Sequence, residues 1–301
     1  MIDLPHVDYV YRHEGTRRSR LVVALSQTAR PVFQRRSFDS PFLSVYEPGP
    51  TTYFMRSADE AASQLVHWIR ARNVSELSFI GGSKGGTGAL LWASLVARSA
   101  PEVLVTALAF SPRTALLPYD ESVPFAGYHA LMRRAETEPD LAADLARHGR
   151  IRVPDLDNLF ARLVYPAKAP DESAQARRVL GPRVELQPLP IRQHSTMFPF
   201  SADMSDRAQA AKQVDKLLRA GERNNDLATA LDGSSREQLI DEYHALGAQP
   251  SLRELLESVE SSHPGRARTR VSPGSGTMLE THARIGVGRR LRDVAAALNP
   301  L

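Results

Sequence analysis

The sequence predicts an α/β fold in which a mainly parallel β-sheet carries helices on both of its faces. Three observations indicate this fold. Between residues 42 and 110, strand-like runs alternate with segments of helical periodicity, an order typical of parallel sheets. Residues 103–110 form a largely apolar run, as a buried strand does. A glycine cluster at 81–86 joins a strand-like segment directly to an apolar helical one.

The predicted strands are short apolar or alternating runs bounded by turn residues, and they lie at 7–12, 21–25, 42–46, 77–80, 103–110, 159–165 and 184–189. The first two are expected to pair with each other. The prolines of the last strand favour an edge of the sheet, because proline cannot donate a hydrogen bond to a neighbouring strand.

Helices are predicted where apolar residues recur three or four positions apart. The first begins near Ser57, which has the spacing of a capping box with Glu60. The others are expected at 88–97, 142–147, 173–180, 206–220, 235–246, 252–259 and 279–298.

These elements divide the chain into two predicted parts. Residues 1–220 form the α/β domain, within which 113–158 breaks the strand–helix order and is expected to be a cap-like helical insertion over the strand ends. Residues 221–301 are predicted to be a helical C-terminal extension with a flexible basic linker at 261–275. This end contains a group of arginines: Arg266, Arg268, Arg270, Arg284, Arg289, Arg290 and Arg292. They predict a solvated basic surface.

Composition excludes several classes of site. The 301 residues contain no cysteine, so a disulfide, a thiolate zinc site and a cysteine nucleophile are impossible. No apolar run approaches the roughly 18 residues of a membrane span. The N-terminus lacks the basic start and apolar stretch of a secretion signal, and the glycine cluster matches neither the P-loop nor the dinucleotide-binding pattern. We expect a cytoplasmic protein that uses no metal and no cofactor.

The segment Gly81-Gly82-Ser83-Lys84-Gly85 matches the G-x-S-x-G pattern of a nucleophile turn. Its place between a strand and a helix is the context that this turn requires. Gly81 and Gly85 would remove the clashes that side chains cause in so tight a bend. Ser83 is therefore the predicted nucleophile, standing at the carboxyl end of the sheet, where open α/β sheets bind ligands.

Backbone amides near this turn are candidates for an oxyanion hole. The N–H of Lys84 lies at the start of the following helix and could donate to a developing negative charge, assisted by the helix dipole. A second donor is expected from the loop after an earlier strand, where the backbone of Gln27 is favoured.

A serine nucleophile needs a base, which is normally a histidine. Of the histidines after Ser83, only His194 directly follows a late predicted strand, so it is the predicted base. The acid is expected after the strand 159–165, where Asp171 and Glu172 are adjacent. Asp171 is preferred because aspartate is the commoner residue in this role, Glu172 comes next, and Asp120 is an outside alternative.

In the turn Gly81–Gly85, the strand–helix order and the place of His194, the chain resembles the α/β-hydrolase superfamily over roughly residues 7–220. More narrowly, Phe79–Gly86 followed by Ala109–Thr114 is similar to poorly characterised bacterial hydrolase-like proteins, some of them associated with cell-surface polysaccharide synthesis. That resemblance implies an esterase or O-acyltransferase acting on glycans. The chain departs from the commoner superfamily pattern at Ala169, which occupies the usual position of the acid.

The sequence allows three functions. The leading one is a serine hydrolase, esterase or deacylase, or an O-acyltransferase, that takes a small-molecule or glycan ester. The alternative is a non-catalytic scaffold of the same fold that binds a protein partner through the amphipathic segments 236–246 and 252–259. Nucleic-acid binding ranks last, since no recognition motif or stacking aromatic residue accompanies the C-terminal arginines.

Overall fold

The computed structural model describes residues 2–34, 36–223 and 233–263 of the chain. The helix predicted at 279–298, the C-terminal arginines and nearly all of the predicted linker lie outside these residues. No helix within the described ranges is long and apolar enough to cross a membrane.

Seven strands form one sheet: β1 (Asp8–Arg12), β2 (Arg20–Leu25), β3 (Phe42–Tyr46), β4 (Glu76–Gly82), β5 (Leu104–Phe110), β6 (Leu159–Pro166) and β7 (Val184–Leu189). Their order across the sheet is β1-β3-β2-β4-β5-β6-β7. All neighbours are parallel except β1 and β3, which are antiparallel. The predicted mainly parallel sheet is confirmed, and β7 lies at an edge as its prolines indicated.

One predicted pairing is wrong. β1 was expected beside β2, but it pairs with β3, so that Asp8 faces Tyr46 and Arg12 faces Phe42. Both flanks of β2 are occupied by parallel partners, β3 and β4. This position buries β2 completely, which suits its apolar sequence, and leaves the half-exposed β1 for the edge.

The described helices are α1 (Ala58–Arg70), α2 (Lys84–Ser99), α3 (Ala126–Ala135), α4 (Pro139–His148), α5 (Pro170–Arg177), α6 (Arg207–Arg223), α7 (Arg236–His244) and α8 (Leu252–Ser261), with a 3₁₀ turn at Phe198–Ser201. α1 and α2 pack on one face of the sheet, in a core that includes Leu65, Trp92 and Phe79. α2 is buried over most of its length because its sequence is apolar on nearly every side.

Two helices of the predicted extension, α7 and α8, lie in the described part of the chain and pack on the opposite side of the sheet. Leu239 of α7 and Leu256 of α8 share a core with Val22, Ile80 and Leu108 of the central strands. The apolar residues of both helices are therefore buried, those of α8 against β5 and β6 and those of α7 chiefly against α6. The apolar residues of the amphipathic segments 236–246 and 252–259 thus share one core with strand residues from the first part of the chain.

A buried ion pair reinforces this contact. Arg20 of β2 and Glu260 of α8 are 1% and 2% exposed, and Arg20 Nη2 lies 2.5 Å from Glu260 Oε1. Ser78 of β4 donates its hydroxyl to the same carboxylate over 2.5 Å. α8 is thus fixed to two central strands by charge as well as by apolar contact.

The insertion between β5 and β6 contains α3 and α4 and is anchored on the start of α1. Asp144 of α4 accepts a hydrogen bond from the backbone N–H of Ser57, over 2.9 Å. The capping box predicted at Ser57 is wrong: Ser57 has a left-handed backbone, with φ of 50°, and its side chain caps nothing. Capping boxes form instead at the starts of α7 and α8, on Ser235 and Ser251.

Candidate active site

A sharp bend places Ser83 at the carboxyl end of the sheet. Ser83 lies between the last residue of β4 and the first residue of α2, with φ of 51° and ψ of −124°. A positive φ strains any residue with a side chain, and such strain is held where the surroundings fix the backbone. The Ser83 N–H fixes it by donating to Phe110 O of β5 over 2.8 Å.

Two glycines make this bend possible. A Cβ atom on Gly81 would lie 2.2 Å from Gly85 O, and one on Gly85 would lie 2.2 Å from Leu25 O. Atoms at that separation overlap, so neither position accepts a side chain without a backbone shift. The predicted strand–turn–helix geometry is present in full, together with the strand order and the parallel crossovers. The fold is α/β-hydrolase-like.

His194 lies in the loop between β7 and the 3₁₀ turn, and hydrogen bonds hold this loop over the ends of the central strands. Thr196 is fully buried, and its hydroxyl lies 2.9 Å from the Ser111 hydroxyl at the end of β5. A Cβ atom on Gly82 would lie 3.6 Å from Met197 Cε. The loop that contains His194 therefore reaches the residue that precedes Ser83.

The imidazole of His194 is paired with Glu172. His194 Nδ1 lies 2.7 Å from Glu172 Oε1, and the two side chains are 18% and 17% exposed. Glu172 lies in the first turn of α5, which begins at Pro170. Asp171, the preferred acid, is exposed on that turn, and Asp120 accepts hydrogen bonds from Ser122 on the exposed surface. The geometry thus favours the second-ranked carboxylate.

An aromatic side chain of the insertion packs against the imidazole of His194. The ring of Phe125, directly before α3, lies 4.9 Å from the ring of His194, centroid to centroid, at an interplanar angle of 47°. Sequence reasoning placed the insertion over the strand ends but did not single out this residue. No local pattern marks Phe125, because its contact spans 69 positions of the chain.

The two predicted oxyanion donors lie near the bend. Lys84 is the first residue of α2, and the first amides of a helix have no acceptor within it. The backbone N–H of Gln27 has no hydrogen-bond partner among the described residues. The side chain of Gln27 is close as well, since its Oε1 would lie 2.9 Å from a Cβ atom on Gly82.

Charged and hydroxyl groups that the sequence did not single out surround this bend. Glu47, directly after β3, is buried and accepts hydrogen bonds from the Thr51 hydroxyl and from both the N–H and the hydroxyl of Thr52. Burial lowers the pKa of the Lys84 ammonium, and the Glu47 carboxylate partly offsets that effect. Burial also raises the pKa of Tyr53, against the opposing charge of Arg113.

Within the described parts of the chain, no group of three or more histidine, aspartate or glutamate side chains is arranged to hold a metal ion.

Comparison with known proteins gives structural neighbours only. No family model matches the sequence, and no curated protein matches it. Among solved structures, a lipase-esterase related protein from Clostridium acetobutylicum is 12% identical, covering 63% of this chain and 92% of its own, with a TM-score of 0.38. A marine microorganism esterase is 13% identical, covering 62% and 93%, with a TM-score of 0.40. The type II thioesterase BorB from the borrelidin cluster is 17% identical, covering 60% and 86%, with a TM-score of 0.35.

Proposed function

We propose that this protein is a serine hydrolase that cleaves carboxylic esters through an acyl-enzyme, with Ser83 as nucleophile, His194 as base and Glu172 as acid. The observation that carries the proposal is the 2.7 Å contact between His194 Nδ1 and Glu172 Oε1, in a loop held beside the strained bend of Ser83. A nucleophile on such a bend, a histidine and a carboxylate that orients it are the parts that acyl transfer requires.

Each residue has a defined step in the proposed reaction. Glu172 accepts a hydrogen bond from Nδ1–H of His194, which leaves Nε2 as the basic nitrogen. Ser83 Oγ attacks the ester carbonyl carbon while its proton moves to Nε2. The carbonyl oxygen becomes an oxyanion, and the backbone amides of Lys84 and Gln27 are the donors proposed to stabilise it.

The tetrahedral intermediate then breaks down to the acyl-enzyme. The carbon–oxygen bond to the alcohol breaks, and the alcohol takes the proton from His194 Nε2. Water loses a proton to the same nitrogen and attacks the acyl carbon. The bond to Ser83 Oγ then breaks, Oγ takes that proton back from His194 Nε2, and the carboxylic acid is released. A second alcohol in place of water gives an acyltransferase, and the sequence resemblance implies a glycan as one such ester or acceptor.

Reaction with a fluorophosphonate probe tests the nucleophile directly. We expect the wild-type protein to form a covalent phosphonyl adduct on Ser83, because the probe needs an activated serine. Ser83→Ala should abolish the adduct and lower ester turnover by at least about 10³-fold. Ser99→Ala, in the last turn of the same helix and exposed, is the matched control and should label like the wild type.

Equal labelling of the wild type and Ser83→Ala would overturn the proposal. Peptide mapping of the adduct then identifies the serine that reacts. Circular dichroism of both variants establishes that a loss of labelling comes from the missing hydroxyl and not from unfolding.

A further inference from the structure

Lys84 and Arg113 lie near the proposed nucleophile in the chain fold, and neither forms an ion pair among the described residues. Among the described residues, no carboxylate comes within 4.0 Å of the side-chain nitrogens of Lys84 or Arg113. Lys84 follows Ser83 directly. Arg113 follows β5 by three residues, at the strand end that accepts the Ser83 N–H.

The backbone of Arg113 is fixed to the first turn of α2. The hydroxyl of Thr87 donates to Arg113 O over 2.9 Å and accepts from Arg113 N over 3.0 Å. Thr87 N in turn donates to Ser83 O over 3.0 Å. Three short links therefore connect the arginine to the nucleophile turn, so its position relative to Ser83 is set by the fold.

The guanidinium group of Arg113 is oriented but not satisfied. Its Cζ lies 4.9 Å from the ring centroid of Tyr128, which is fully buried in α3. Its Nε is buried and has no acceptor among the described residues. Among the described residues, neither Nη atom takes part in a hydrogen bond, and neither is completely buried, so both are at least partly accessible to solvent. Stacking on an aromatic ring is a common way to hold an arginine that binds an anion.

The carboxylates in this region are already occupied. Glu172 is paired with His194, and Glu47 receives hydrogen bonds from Thr51, Thr52 and the Phe54 N–H. Neither is within ion-pair distance of the two cations. Glu47 acts on Lys84, and Asp120 on Arg113, at longer range and without an ion pair. A desolvated cation with no ion-pair partner is stabilised by an anionic ligand.

We infer that the substrate is an ester with an anionic oxygen group, a carboxylate or a phosphate, which Arg113 binds through its Nη groups and Lys84 attracts beside the nucleophile. This inference rests on the proposed function, because it assigns the substrate class of the same site. Arg113 acts as a specificity determinant, because the two Nη groups of its planar guanidinium can donate to both oxygens of such a group. Lys84 supplies a positive charge without that geometry.

Three matched 4-nitrophenyl esters test the inference with the full chain. They share one acyl length and end in a carboxylate (the hydrogen adipate), a phosphonate (the 5-phosphonopentanoate) or a neutral methyl ester (the methyl adipate). The wild type should prefer one or both anionic esters over the neutral one in kcat/KM, by roughly 10- to 100-fold, the range of a charge-assisted hydrogen bond. Comparison of the carboxylate ester with the phosphonate ester distinguishes recognition of a carboxylate from recognition of a phosphate.

Variants assign the preference to its residues. Arg113→Met should reduce the anionic-to-neutral ratio to near one, Arg113→Lys should restore part of it, and Lys84→Met should lower it less. Arg98→Met removes an exposed arginine from the far end of α2 and is the control for net charge. It should leave the ratio as in the wild type.

Fluorophosphonate labelling, which needs no anionic group, is followed in every variant. The inference is overturned if the wild type is labelled but its anionic-to-neutral ratio of kcat/KM is near one. It is also overturned if Arg113→Met has the same ratio as the wild type. Either result leaves the proposed function standing. Absence of both labelling and turnover of all three esters in the wild type refutes the proposed function, and this inference with it.

Discussion

The pair formed by Arg20 and Glu260 lends itself to a quantitative test of how the C-terminal helix is held. The substitution is Glu260→Gln, which keeps the size of the side chain and removes its charge. In the native protein Arg20 Nη2 lies 2.5 Å from Glu260 Oε1, and Arg17 Nη1 lies 3.5 Å from Oε2. The variant therefore leaves the guanidinium of Arg20, which is 1% exposed, without its counter-ion.

Removal of one partner of a buried pair costs about 3–5 kcal/mol, because the remaining charge stays desolvated. Burial also lowers the pKa of Arg20, and Glu260 opposes that effect. For a domain of this size each kcal/mol shifts the melting temperature by roughly 2–4 °C, so Glu260→Gln should melt roughly 6–20 °C below the wild type. Urea denaturation followed by circular dichroism gives the free energy of unfolding directly.

Two further proteins complete this experiment. Glu257→Gln changes a carboxylate three residues earlier, 39% exposed and paired with Arg253, and should cost less than about 1 kcal/mol. The double variant Arg20→Met/Glu260→Leu should regain most of the lost stability, since it leaves no unpaired charge. A Glu260→Gln protein within about 1 kcal/mol of the wild type, or a double variant no more stable than Glu260→Gln, would refute this account of the pair.

The remaining predictions concern the site and its supports. Glu172→Gln should lower kcat/KM on a neutral ester by roughly 10²- to 10⁴-fold through loss of imidazole orientation, while Asp171→Asn stays within about twofold of the wild type; the opposite order would return the acid role to the neighbouring residue. Gly85→Ala should destabilise the fold by roughly 1–3 kcal/mol, since its Cβ would lie 2.2 Å from a carbonyl oxygen of β2, whereas Gly49→Ala, with nothing within 4 Å, should not change the urea midpoint. Burial alone would raise the pKa of Asp59, but hydrogen bonds from an arginine and a histidine of α4 outweigh it and hold the pKa below its usual value of 3.8. The stability from that carboxylate is present above pH 3.8 and lost as pH falls through the lowered pKa, so melting curves of the wild type and Asp59→Asn should differ at pH 6 and converge toward pH 2; a constant difference contradicts the assignment.

The sequence was most informative where a structure is set by neighbouring residues. The bend at Ser83 requires glycine at fixed offsets, so the pattern and its strand–helix context located it. The apolar runs placed all seven strands, and the prolines of β7 placed its edge. These features depend on sterics and burial within a few residues of each other.

Features that depend on distant contacts were not accessible in the same way. The choice between Asp171 and Glu172 turns on the rotation of α5, because adjacent residues on a helix point about 100° apart. The capping box at Ser57 fails because Asp144, 87 positions later, takes its backbone N–H. The partner of β1 depends on the order of the parallel strands. Because β2 lies between β3 and β4, it has no free edge, whereas β3 has one for β1.

The ion pair between β2 and α8 also bears on how the chain is synthesised. Glu260, the counter-ion of Arg20, follows it by 240 positions and is therefore translated much later. Until then, the sheet face formed by Val22, Ile80 and Leu108 lacks its helical cover, because α7 and α8 have not yet been translated. A chain that stops short of residue 260 therefore exposes apolar surface beside an unpaired arginine, and surface exposed in this way promotes aggregation.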